Sequence, residues 1–85
     1  MDPKAIRASR KPYCEVCFRT AFGDPHHVRT RGAGGPDIKE NLIQLCWDCH
    51  YVKVPAGKLP RHFLFAMIAK REGISVKEIE KKVYR

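Results

Sequence analysis

The chain lacks any apolar run long enough to cross a membrane. Its longest, Phe63 to Ala69, has 7 residues, where a spanning helix needs about 20. No apolar stretch follows Met1-Asp2-Pro3-Lys4-Ala5-Ile6-Arg7, so an export signal is not expected and a cytoplasmic protein with reduced cysteines is. Length is short too: 85 residues leave room for one domain with a small core, and small scaffolds usually need a staple. Acidic residues are scarce, 9 against 17 Lys and Arg, giving a formal charge of +8. Nucleic acid is the simplest partner for such a chain, because each neutralised phosphate releases counterions; Lys and Arg kept for solubility are the alternative.

The distribution of that charge sharpens the point. Residues 1–13 carry 4 basic side chains against 1 acid, and residues 53–85 carry 9 against 3. Residues 14–52 carry 4 against 5. A nearly neutral centre therefore sits between two basic flanks.

What the centre does hold is cysteine and histidine. Cys14-Glu15-Val16-Cys17 and Cys46-Trp47-Asp48-Cys49 are two C-x-x-C pairs with 28 residues between them. Four thiolates so spaced suit tetrahedral Zn²⁺, each pair giving two ligands from one tight knuckle. Structural zinc contributes roughly 10–16 kcal/mol of apparent binding energy to folding. Two disulfides would be the alternative in a secreted chain. With the cysteines assigned, His26, His27, Asn41 and His50 remain, and a structural zinc needs none of them.

Along the chain, residues 1–13 read as a flexible basic arm, with Pro3 and Pro12 and no apolar period. Phe18 and Phe22, close behind the first knuckle, are expected to cover the zinc. Pro25 to Arg31 and Leu42 to Leu45 read as two extended pieces joined through Gly32, Gly34, Gly35 and Pro36, a distorted hairpin. A short helix is expected from Cys49 to about Val54, before Pro55. After Pro60 comes a helix that is apolar nearly all round, to be buried against the hairpin or against a second copy of the chain in a homodimer. Gly73 is its stop, and Ser75-Val76-Lys77-Glu78 caps a last helix whose Val76, Ile79 and Val83 share a face.

Neighbours on a strand point to opposite faces, so His26 and His27 are expected to divide their roles. His50, at a helix start, can meet one of them across the hairpin. Two imidazoles plus water make the open site a catalytic metal needs, leaving the other histidine as a general base. Asn41 offers an amide to fix an imidazole tautomer or to hold a loop.

His27, Asn41 fourteen residues on and His50 nine further on resemble the HNH endonuclease family, a branch of the ββα-metal nucleases. The resemblance covers residues 14–54. It includes Pro25-His26-His27-Val28, the Gly34-Gly35-x-Asp37 piece, the run from Asn41-Leu42 to Leu45-Cys46, and Cys49-His50. It implies an α+β fold: a small zinc-stapled ββα-metal (HNH, or His-Me finger) core at 14–54, with C-terminal helices at 55–85 as an extension of the same domain. By the same resemblance His26 and His50 bind a catalytic divalent metal (Mg²⁺, Mn²⁺, Ni²⁺ or Zn²⁺), His27 is the base, and Asn41 orients it and its loop. Cys14, Cys17, Cys46 and Cys49 would hold the structural Zn²⁺. Arg29 and Arg31, just past the base, are candidates to grip a phosphate of a DNA substrate, with solvated turn residues as the alternative. No small-molecule cofactor is expected. Some members, the colicin nucleases among them, carry another histidine ligand one turn after the last; here Val54 stands there and cannot ligate. His62 is read as a helix-surface residue outside the site.

Three other readings compete with this one. Cys46-Trp47-Asp48-Cys49-His50 matches the C-x-x-C-H haem attachment motif, but the second C-x-x-C and the absent export signal oppose a cytochrome. A zinc deaminase needs His-x-Glu before its cysteines, and His26 is followed by His27 and Val28. The serious rival is a non-catalytic zinc module that binds nucleic acid, which the removal of a histidine would distinguish from a nuclease.

Overall fold

The C-terminal third folds as its caps dictate. The computed structural model describes residues 2–84, and in it α2 runs Arg61–Glu72 and α3 runs Val76–Val83. Gly73 ends α2 in the left-handed conformation at φ 71°, which glycine adopts without steric cost. Ile74 N–H then returns to Ala69 C=O at 3.1 Å, and Ile74 packs against the core, the contact that accompanies such caps. Ser75 Oγ accepts from Glu78 N–H at 3.1 Å and starts α3. The apolar faces meet: Leu64, Phe65, Ile68 and Ala69 of α2 are buried with Ile79 and Val83 of α3.

The hairpin is shorter than its apolar run suggests. β1 is His26–His27 and β2 is Leu42–Ile43, antiparallel, with His26 opposite Ile43 and His27 opposite Leu42. Beyond Ile43 the strand changes partner: Gln44 C=O accepts from Glu15 N–H at 2.8 Å, and Gln44 N–H donates to Glu15 Oε2 at 2.6 Å. The first cysteine knuckle thus continues where the hairpin stops. Arg71 of α2 secures the junction, donating to Glu15 Oε1 at 2.9 Å, Leu42 C=O at 3.0 Å and Lys39 C=O at 2.7 Å.

Two expectations are corrected. Where an arm without regular structure was expected, Pro3–Ala8 form α1. Asp2 caps it by accepting from Ala5 N–H at 3.2 Å, Pro3 presets the first turn, and Ile6 alone is buried. One buried residue leaves no period to read. Phe18 and Phe22 do not cover the cysteines either, being 74% and 85% exposed. Phe18 takes the left-handed conformation at φ 64° as the knuckle closes, which turns its ring outward against Tyr13, centroids 6.2 Å apart. The cysteines are packed instead among Ala21, Val28, Ile43, Leu45 and Leu59.

The helix expected from Cys49 is a π-helical turn, Cys49–Lys53. Val54 N–H reaches back five residues to Cys49 C=O at 3.0 Å. Such wide turns are rare and often stand at functional sites.

Candidate active site

The four cysteine sulfurs all lie within 4.8 Å of one another, and none is in a disulfide. A tetrahedral cation with Zn–S near 2.3 Å sets its sulfurs about 3.8 Å apart; Cys17 Sγ and Cys46 Sγ are 3.5 Å apart. Each knuckle folds the backbone onto its own sulfur: Cys17 N–H points at Cys14 Sγ and Cys49 N–H at Cys46 Sγ, both 3.5 Å. Burial, joined by the other three sulfurs, pushes the Cys49 thiol up. A divalent cation reverses that balance by favouring thiolates. The donor set fits zinc.

A second cluster lies a peptide bond away. His50 follows Cys49 in the π-helical turn, and its ring meets that of His26 edge-on, centroids 4.7 Å apart. Burial, then the neighbouring His50 and His27, lower His26 to about 4, and burial lowers His50. Both are therefore neutral at physiological pH, the form in which imidazole binds metal.

The ring of His27 has a different partner. Its Nε2 lies 2.7 Å from Asp37 Oδ1. Asp37 also accepts from Asp2 N–H at 2.8 Å and stands 3.4 Å from Arg31 Nε. The His27 hydrogen bond, with the Asp2 N–H and Arg31, holds the Asp37 carboxyl below its usual range against the opposing effect of burial. The adjacent histidines thus part company, one toward His50 and one toward Asp37. All three histidines still border one open cleft of about 370 Å³ with Asp24, Thr30 and Arg31.

Asn41 is buried behind this cleft and holds the loop. Its Oδ1 accepts from Arg29 N–H at 2.8 Å, and its Nδ2 donates to Arg29 C=O at 2.9 Å and Pro36 C=O at 3.0 Å. Gly35 allows the approach, since a Cβ there would lie 1.7 Å from Arg29 O. Asn41→Ala should leave these buried groups unpaired and cost about 2–4 kcal/mol of stability. Urea unfolding checks this; a loss under 1 kcal/mol would mean that water replaces the amide.

The family model for the HNH endonuclease matches residues 14–53. Over those residues the chain is similar to an HNH endonuclease domain. No curated protein and no solved structure matches it.

In and beside the HNH-like segment several sequence candidates find other partners. Arg29 is engaged with the C-terminal helix: Nη1 donates to Val83 C=O at 3.0 Å, and its guanidinium lies 4.8 Å from the Tyr84 ring centroid. Arg31 stays half exposed on the cleft. Val54 packs on the core, and His62 is exposed on α2, outside the lining of the histidine cleft and grouped with Arg61, Phe65 and Tyr84. The residue that sequence reasoning missed is Asp37. It stood in the Gly34-Gly35-x-Asp37 piece, noted only for its spacing, and no local pattern says that a loop carboxylate meets the histidine 10 positions earlier.

Proposed function

We propose that this HNH domain hydrolyses DNA phosphodiester bonds with the help of a divalent metal. The observation that carries the reading is one cleft bordered by the touching His26 and His50 rings and by His27, which Asp37 meets at 2.7 Å, while the four cysteines form a complete donor set of their own. His26 and His50 are the residues that would hold the metal. When bound there, a divalent cation neutralises charge on the phosphate and stabilises the departing 3′-oxygen.

His27 is the base. With Nε2 donating to Asp37, Nδ1 carries the free lone pair that takes the proton from water. Asp37 then stabilises the imidazolium that results, so it acts on the water through His27. Asn41 positions both by fixing Arg29 and Pro36, which bracket the loop. Arg31 is the cation placed to meet a substrate phosphate. The basic flanks at 1–13 and 55–85 bind backbone phosphates beside the 14–54 core, in keeping with a cytoplasmic DNA-acting protein.

The test is incubation with supercoiled plasmid in Mg²⁺, Mn²⁺, Ni²⁺ and Zn²⁺ in turn. Nicked or linear product with 5′-phosphate ends is expected in at least one. Binding without cleavage in all four would make the domain a non-catalytic zinc module.

A further inference from the structure

Phe22, Trp47 and Tyr51 are 85%, 70% and 59% exposed, so none serves the core. Exposed aromatics clustered in this way mark a recognition surface. They line a second cleft of about 600 Å³ that shares Asp24, Pro25 and His50 with the histidine cleft. The rings form a continuous series: Trp47 to Tyr51 at 5.5 Å, Tyr51 to His50 at 4.4 Å, and His50 to His26 at 4.7 Å. An aromatic surface therefore leads directly into the site proposed for the phosphate.

We propose that this cleft receives an unpaired nucleobase of the strand whose phosphodiester lies at His26, His27 and His50. The inference rests on the reading of the histidine cleft as a phosphodiester site. Three observations favour a base over a protein partner. The surface is concave rather than flat. It mixes rings with polar groups, Thr20 and Asp24, and Asp24 is held by Arg10 Nε at 2.9 Å. It also joins the histidine cleft through shared residues, and bases attached to a bound phosphate are the nearest π-faces a substrate brings. A paired base cannot reach such a ring without leaving its stack. The substrate class is thus DNA with an unpaired segment beside the cut: a single strand, a flap or a distorted step. Aromatic stacking strengthens single-strand binding about 5- to 150-fold per base.

Trp47 is the only tryptophan, so its emission reports the contact directly. The zinc-loaded protein, without further divalent metal, is titrated with a single-stranded oligonucleotide, with an abasic strand of equal length, and with a blunt-ended duplex of two strands. The single strand should quench Trp47 and bind about 5- to 150-fold more tightly than the abasic strand, and the duplex should not quench. Trp47→Ala should bring single-strand and abasic affinities together, measured by anisotropy. Equal affinities in the wild-type protein, or an undiminished difference in Trp47→Ala, would overturn the proposal. So would a dimer that Trp47→Ala dissociates, which would show the face to be covered by a second copy. If plasmid cleavage fails while base-dependent quenching is seen, the catalytic reading falls and the base cleft stands. If cleavage succeeds without base dependence, the base cleft alone falls.

Discussion

His27→Ala should slow DNA cleavage by roughly 10²–10⁴-fold, about 3–5 kcal/mol of transition-state stabilisation, while retaining fold, zinc and DNA affinity. The side chain is largely buried, yet it stands outside the hydrophobic core, borders the cleft and has Asp37 as its polar partner. Removing the imidazole therefore takes away the proton acceptor and little of the packing. His50→Ala makes the contrasting case. It should lose activity by losing the divalent metal, so a raised metal concentration should partly restore it, whereas no metal concentration restores His27→Ala. Cleavage rates across a metal titration separate the two. A His27→Ala protein that cuts as fast as wild type would move the base to another residue.

Cys46→Ser, like Cys14→Ser, should unfold the domain. The apparent energy of a structural zinc, roughly 10–16 kcal/mol, equals or exceeds the about 5–15 kcal/mol by which domains of ordinary stability stay folded. The packing gives the same answer: Cys14, Cys46 and Cys49 are core residues, and they join the first knuckle to the turn that carries His50. Circular dichroism and zinc analysis on the purified variant provide the check. A well-folded Cys46→Ser protein, or wild type without zinc, would show that hydrophobic packing suffices. Mild chelation should empty the histidine pair first and leave the fold intact.

The parts legible in the sequence were those written in local chemistry. The two knuckles follow from ligand spacing, the end of α2 from Gly73, and the start of α3 from Ser75. That His50 meets one of the two adjacent histidines follows from a strand and a helix start facing each other, while the choice of His26 came from the family resemblance alone. What stayed hidden depends on contacts distant in sequence or on conformations that composition does not encode. Asp37 meets His27 only because Asn41 and Gly35 fold the loop back. Arg71 clamps Glu15 and two carbonyls across the junction of the hairpin and the knuckle, and no pattern in α2 marks it. Phe18 and Phe22 follow a cysteine knuckle as core residues would, yet the turn takes a left-handed step at Phe18 and both rings finish in solvent. The π-helical turn reads as ordinary helix, since its residues differ in hydrogen-bond reach rather than in propensity.

The bond from Asp2 N–H to Asp37 moors the start of α1 to the carboxylate that steadies His27. Any polypeptide joined ahead of Asp2 therefore begins two hydrogen bonds from His27, the base proposed above. Tension or crowding at that junction would reach the imidazole through Asp37, so an affinity tag placed there should load the proposed base mechanically. It would depress turnover without weakening the zinc staple, and a flexible spacer would relieve it.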